Sequence, residues 1–371
     1  MNILITGASG FIGSFLCEEC LRRQYTVWAG MRTTSSRKWL QNEWLHFVTL
    51  DMTDTDILRQ QLSSFKDKHG KWDIIVHAGG ATKCLNVEDF DKNNFLCTRN
   101  LVETLFCLDM LPSQFLYVSS LSVLGAIREQ MVDTHSVIIP KGIAIDDEFI
   151  SRYTIQQSVY EPMLDTDTPY PNTAYGASKL KSEEYLRNRQ VELFSQGIDF
   201  NFTIFRPTGV YGPREKDYYL MVKSINSHYD FAVGYKPQEI TFVYVQDLVD
   251  AILSAIGNAN AKGKSYAVSD GFVYSSRAFS DLIQKELARH AVLHFKAPLF
   301  LLKAICRLGE WFSHLTGKLI TLNKDKYNIL AQRNWQCDIS PIQHDLGFTP
   351  QWNLERGVKE TISWYKENKW I

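Results

Sequence analysis

Nowhere in its 371 residues does the chain offer the roughly 18 consecutive apolar residues that a membrane-spanning helix requires. The nearest run, Ala297 to Leu308, is broken by Lys303 and Arg307, and is expected to bury one face within the protein. Neither sign of charge is in excess, with 40 basic against 41 acidic residues and a formal net charge of -1. Nucleic acid and anionic membranes are therefore not expected as main partners, and any basic patch must be local. The seven cysteines (17, 20, 84, 97, 107, 306 and 337) are odd in number and scattered, unlike a disulfide framework. Cys17-Glu-Glu-Cys20 has no second pair or histidine beside it and reads as helix packing, so no metal site is expected. Internal repeats and low-complexity segments are lacking too. Because Asn2 to Thr6 already reads as a strand, the start leaves no room for a cleavable leader. A cytoplasmic protein without a membrane span is the expectation.

What is present is an ordinary globular composition, 45% hydrophobic and 22% charged, which excludes a disordered chain. Short apolar runs alternate with stretches of helical length: Asn2–Thr6, Thr26–Met31, His46–Leu50, Asp73–His77, Gln114–Ser119 and Asn201–Phe205. Strands that are apolar without alternation belong to sheets covered on both faces. The pattern predicts an α/β fold, a doubly wound parallel sheet of Rossmann type, with a smaller, mostly helical C-terminal substrate lobe. Residues 1–205 form the dinucleotide domain in this reading, 241–268 return to it, and 206–240 with 269–371 form the lobe. A segment at 132–169 is set off as an insertion close to the active site.

Gly7, Gly10 and Gly13 follow the first strand and open a helix. Glycines let the backbone turn sharply and approach a pyrophosphate, which then faces free amides at the helix N-terminus. NAD sites place Asp or Glu about 20 residues further on to hold the ribose 2′-hydroxyl. Here no acid appears between Met31 and Glu43, whereas Arg32, Arg37 and Lys38 can clamp a 2′-phosphate. NADP is accordingly favoured over NAD, against the alternative of a solvated basic loop. Asp51, followed by Met52, is placed to accept a hydrogen bond from an adenine amino group, although a helix cap by Asp54 explains part of that segment equally well.

Tyr175 and Lys179 are four residues apart, neighbours on one helix face. An adjacent ammonium, together with an oxidised nicotinamide, is expected to pull down the pKa of a phenol, ordinarily about 10. The spacing alone is not specific, since Tyr365 and Lys369 repeat it. Tyr365 is read as surface packing, because only Tyr175 lies downstream of a strand ending in hydroxyls, Phe115 to Ser120 with Ser122 close behind. At the C-terminal edge of a parallel sheet such hydroxyls can bond a carbonyl or alcohol.

These pieces, with Val76-His77-Ala78-Gly79-Gly80, Arg206-Pro207-Thr208-Gly209-Val210-Tyr211-Gly212-Pro213 and Phe242-Val-Tyr-Val-Gln-Asp247, resemble the extended short-chain dehydrogenase/reductase family, also called the NAD-dependent epimerase/dehydratase family. The motifs run in the family's order from the first strand to about residue 250. The resemblance implies that Ser120, aligned through Val123 and Gly125, is the catalytic hydroxyl, with Ser119 and Ser122 as fallbacks. Tyr175 is then the acid–base residue, and Lys179 also binds the nicotinamide ribose. It further implies that Ser9, Phe11, Ile12, Ala78, Gly79, Pro207, Gly209 and Val210 join the three glycines against the cofactor. His77 is either part of that surface or a packed histidine.

Three departures bear on substrate. Sugar-nucleotide epimerases of the family carry Asn where this chain has Gly209 and Arg where it has Ile240, and the separation of Ser120 from Tyr175 is long. The insertion responsible, which contains Val137 to Pro140 and the acidic Asp146-Asp147-Glu148, either covers the pocket or is a surface excursion. Pro298 to Phe312 either walls an apolar pocket or packs in the core. The form of the chain is closest to the dihydroflavonol-reductase and 3β-hydroxysteroid-dehydrogenase-like branches. The expected function is reversible hydride transfer between NADP(H) and a ketone or secondary alcohol of a small-molecule substrate. Alternatives are a nucleotide-sugar 4-epimerase or dehydratase with tightly bound NAD, and a non-catalytic NADP-sensing protein. A homodimer is compatible with the family.

Overall fold

Seven strands form one sheet in the order 265–268, 202–207, 114–118, 74–77, 2–6, 26–31 and 46–49 in the computed structural model, which describes residues 1–140, 146–316 and 323–371, without the side chains of 312–316. The first strand, Asn2–Thr6, lies between Ile74–His77 and Thr26–Met31, parallel to both. Its side chains alternate between two covered faces, as the apolar run requires. Leu4, Ile75, Phe115 and Tyr117 join Leu58, Leu62 and Phe65 of the helix Thr55–His69, Leu101 and Leu105 of Cys97–Cys107, and Leu186 and Leu193 of Ala174–Ser195. Ile3 and Ile5, also fully buried, point the other way. Truncating one such leucine to alanine removes about 2–5 kcal/mol through lost burial and the cavity left behind.

The chain divides into two compact units, the first comprising Met1–Val123, Ala174–Arg206 and Val249–Tyr266, the second Leu124–Thr173, Pro207–Leu248 and Ala267–Ile371. The whole of 124–173 thus groups with the C-terminal segments, whereas the sequence reading kept 132–169 with the dinucleotide domain. Only 249–266, rather than 241–268, returns to the first unit. The reason is local hydrogen bonding. His135–Ser136 pairs with Gln157–Ser158, and the buried Glu239 carboxylate accepts from Val159 N at 3.0 Å and Ser158 Oγ at 2.6 Å. Met163 bridges Cys337, and Arg128 clasps Asp167 with two bonds of 2.7 and 2.8 Å. Residues 141–145 of the expected insertion lie outside the described residues.

Besides its helices, the second unit carries short ladders. Gly209–Tyr211 pairs with Phe242–Tyr244, Tyr229–Val233 with Leu293–Ala297, and Glu239–Ile240 with both Tyr274–Ser275 and Asn334–Trp335. Tyr365 is fully buried rather than on the surface; its hydroxyl donates to the Glu215 carbonyl at 2.9 Å and its ring stacks on Trp370. The helix Leu354–Glu367 ends before Lys369, which takes a left-handed conformation with φ 58°, so the second Tyr-Lys spacing is not a helical pair. Within the helix Leu299–Thr316, Leu302 and Cys306 are buried while Phe300, Leu301, Ile305 and Leu308 are exposed. The apolar stripe expected there to line a pocket or the core is therefore largely on the outside.

Candidate active site

The strand order reverses direction at Asn2–Thr6, which sets the loops after that strand and after Ile74–His77 at a topological switch point, the place where doubly wound sheets bind ligands. After Thr6 the chain turns at Gly7, whose φ of 67° is costly for any residue with a Cβ. A Cβ there would also lie 2.7 Å from Gly79 Cα, so the two loops can approach only through this glycine. Gly10 N donates to Gly7 O at 2.9 Å and opens the helix Phe11–Arg22. No side chain caps that helix, so its first amides, flanked by Ser9, Phe11 and Ile12, are available to an anion. A Cβ at Gly13 would collide with the backbone of Gly7 and Ala8, which holds the helix tight against the turn. The geometry fits a pyrophosphate cradle.

His77, left open by the sequence, is a packed histidine. It is wholly buried between Thr6 Oγ1 at 2.6 Å and Thr98 Oγ1 at 3.0 Å. Burial, assisted by the charge of Lys179, pushes its pKa down to about 3 and keeps the ring neutral. The Gly79 amide lies 3.3 Å from the same Thr6 hydroxyl, and Ala78 O sits against Gly7. On the far side of the turn, the Asp51 carboxylate accepts from Thr53 N and Oγ1 at 3.1 and 2.6 Å, while Asp54 caps Thr55–His69 through two amides. Met52 reaches toward Gly79, its Cε 3.5 Å from a Cβ placed there.

The three cations after the second strand are seated differently from one another. Arg37 lies over the Phe47 ring at 3.9 Å and Lys38 over Trp39 at 4.4 Å, positions in which cation–π attraction holds them. Arg32 is exposed directly after Met31.

The strand Gln114–Val118 ends at Ser119 and Ser120, and the helix Ala174–Ser195 runs beside it. Ser120 stands beside the Tyr175 hydroxyl. Ser119 is engaged elsewhere, donating to Glu183 at 2.5 Å, and Ser122 is buried, its amide 3.2 Å from Ser120 Oγ. Of the three hydroxyls, Ser120 is the one brought to Tyr175. Lys179, one turn on, donates to Val118 O at 2.8 Å from a buried position. Burial pushes its pKa down to about 8, opposed by the carboxylate of Glu183. Tyr175 departs from the expected lowering: burial pushes the phenol up to about 12, and Ser120 rather than Lys179 opposes the rise.

Two buried residues escaped the sequence reading. Asn94 lies in a π-helical stretch, Asp91–Leu96, a local widening frequent at functional sites. Its amide pairs with Ala81, accepting from N at 2.7 Å and donating to O at 3.1 Å, and donates to Ser178 Oγ at 2.8 Å. Asn94 thereby ties the loop after Ile74–His77 to the helix carrying Tyr175 and Lys179. A Cβ at Gly80 would sit 2.9 Å from Asn94 Oδ1 and 3.2 Å from Lys179 Nζ. Glu183 is the other. It accepts from Ser119 and, at 2.6–3.2 Å, from Arg206, a buried charge pair that fixes the strand ends beneath the site. The signal for both was a polar residue on an otherwise buried helix face.

Pro207, Gly209 and Val210 belong to the second unit. There Gly209 has no room for a side chain, because the Tyr218 hydroxyl occupies the space a Cβ would take. Cys17 and Cys20 are buried thiols, raised by burial, Cys20 to about 12. No described helix is long and apolar enough to cross a membrane.

Proteins of known activity resemble this chain along nearly its whole length. The dTDP-L-rhamnose 4-epimerase of Burkholderia thailandensis is 24% identical over 98% of this chain and 94% of its own length. A decarboxylating sterol-4-alpha-carboxylate 3-dehydrogenase of Dictyostelium discoideum is 23% identical over 97% of this chain and 99% of its own. Among solved structures, the dTDP-glucose 4,6-dehydratase DesIV of Streptomyces venezuelae, with NAD and TYD bound, covers 100% of this chain and 98% of its own at 19% identity, with a TM-score of 0.70. The NAD dependent epimerase/dehydratase family matches residues 3–142 and 149–269, most of the described chain and all of the motifs above. The chain belongs to that family of enzymes.

Proposed function

We propose that this enzyme oxidises and re-reduces a secondary alcohol carbon of a nucleotide-linked sugar, in the manner of a 4-epimerase, with Tyr175 as acid–base residue. The carrying observation is that Ser120, Tyr175 and Lys179 stand together in the first unit, with Lys179 against Gly80 of the loop that packs on the glycine turn. Full-length similarity to a rhamnose-nucleotide epimerase supports the sugar class over the ketone reductase expected from the sequence. A bound oxidised nicotinamide supplies the hydride acceptor, and its positive charge favours the tyrosinate. Tyr175 takes the proton of the substrate hydroxyl as the C–O bond becomes a carbonyl, and returns it on reduction. Ser120 hydrogen-bonds the same oxygen in both states, so the bond is strongest where charge develops. Lys179 brings its ammonium to the ribose side of that group, and Gly7, Gly10 and Gly13 with the first amides of Phe11–Arg22 hold the pyrophosphate.

The test is incubation of the pure protein with UDP- and dTDP-hexoses, following the products by chromatography and the dinucleotide by absorbance. Interconversion of sugars without net change in reduced dinucleotide is expected. Stoichiometric reduction of added NAD(P) by a free alcohol, with every nucleotide sugar inert, would replace this reading by a second one, net alcohol dehydrogenation. That second reading is favoured by the sterol-dehydrogenase relative and by the filled space at Gly209. On cofactor, the exposed Arg32 and the missing acid support NADP, whereas neighbours of the same fold hold NAD. Parallel titrations decide between them.

A further inference from the structure

Ten of the exposed large apolar side chains among the described residues fall within 229–235 and 293–311 of the second unit. They follow from two regular patterns. Tyr229–Val233 and Leu293–Ala297 pair in parallel, with Tyr229 opposite Leu293 and Phe231 opposite Phe295. Alternation puts these four on one face, where Phe231 and Phe295 stack at 5.5 Å and Phe231 is 66% exposed. The reverse face is tied to the protein through Asp230, which is buried and bonded to Arg277 at 2.8 Å. Pro298 leads directly into the helix Leu299–Thr316, whose Leu301, Ile305 and Leu308 recur at helical spacing on the side away from Leu302 and Cys306. Phe300, 75% exposed, adds an aromatic at its start.

Cations stand beside this apolar surface rather than within it. Lys303 and Arg307 are exposed one turn apart on the same helix, and Lys296 stands exposed at the end of the ribbon. Lys296 lies over the Tyr235 ring and Lys303 over Tyr327. Like charges at i and i+4 repel, and an anionic partner would relieve that cost.

We propose that this face of the second unit rests on an anionic lipid surface, with the helix Leu299–Thr316 lying in the interface plane, its leucine and isoleucine stripe among the acyl chains and Lys303 and Arg307 at the headgroups. An exposed helix with apolar and aromatic residues beside lysine and arginine has the composition that lies on membranes rather than spanning them.

The full chain is sedimented with phosphatidylcholine vesicles and with vesicles also containing phosphatidylglycerol. Retention on the mixed vesicles, weakened by salt, is expected, with little on phosphatidylcholine alone. Lys303→Glu/Arg307→Glu and, separately, Leu301→Ser/Ile305→Ser should each lower the partition coefficient at least tenfold. All four positions are exposed, and unchanged thermal melting verifies that the variants fold. Wild-type protein that stays in the supernatant with anionic vesicles overturns the proposal. So does a dimer that ignores vesicles and becomes monomeric in Leu301→Ser/Ile305→Ser, which would make the face a self-association surface.

Discussion

The ammonium of Lys179 donates to the carbonyl oxygen of Val118 at 2.8 Å, anchoring the helix of Tyr175 to the end of the strand that carries Ser120. The lysine thus has a backbone partner before any ligand arrives, and the phenol beside it is raised, not lowered, by burial. On this geometry the tyrosine becomes reactive through what binds next to it.

Replacing Tyr175 by phenylalanine removes the proposed proton carrier and leaves the glycine turn untouched. Turnover should fall about 10²-fold or more, with dinucleotide affinity, read by fluorescence titration, unchanged. Undiminished turnover would remove Tyr175 from the reaction.

Glu183 opposes the lowering of the Lys179 pKa to about 8. Activity that depends on the charged lysine should therefore decline as pH rises through about 8, and Glu183→Gln should move that limb to lower pH. The same change leaves the buried Arg206 charge without its partner, an expected loss of about 3–5 kcal/mol in urea unfolding. A pH limb that stays in place would confine Glu183 to the stability of the fold.

His77 is neutral in the folded protein down to about pH 3 but protonates near 6.5 when unfolded. Between those values the unfolded chain binds more protons, so the folded state loses stability as pH falls through that window and keeps it fully above 6.5. Relative to His77→Asn, the wild type should lose about 3 kcal/mol between neutrality and pH 4, since each pKa unit corresponds to about 1.4 kcal/mol. Denaturant unfolding across that range measures it.

Gly209→Asn forces a side chain into the space of the Tyr218 hydroxyl. Overpacking of this kind costs about 1–3 kcal/mol. Adding Tyr218→Ala should recover part of that loss, and a double-mutant cycle that shows no coupling would deny the steric link.

Arg32→Ser should weaken NADP about tenfold or more while leaving NAD within twofold, the loss of a charge-assisted contact to a phosphate. Arg37→Ser should do neither, because Arg37 is seated on Phe47. Equal loss for both dinucleotides would mean that Arg32 serves the fold or the shared part of the cofactor.

The parallel-sheet architecture was legible in the residues because a strand covered on both faces must be apolar throughout, and Asn2–Thr6 and Thr26–Met31 coincide with the runs read from the sequence. The glycine turn and the Tyr175–Lys179 spacing were legible because each is a local arrangement of backbone and side chain within one or two turns. Asn94 and Glu183 were not. Asn94 reaches Ala81 through a π-helical offset that no 3.6-residue period foretells, and Glu183 meets Arg206 only because sheet order brings their elements together. Tyr365 likewise looked like a surface residue until helix packing buried it. Short-range chemistry, the turn and the spacing of tyrosine and lysine, thus resided in the order of the amino acids. The partners of Lys179, the neutrality of His77, the seating of Arg37 on Phe47 and the space taken by Tyr218 at Gly209 were decided by the packed fold, since burial and proximity between distant residues exist only once the chain has closed on itself.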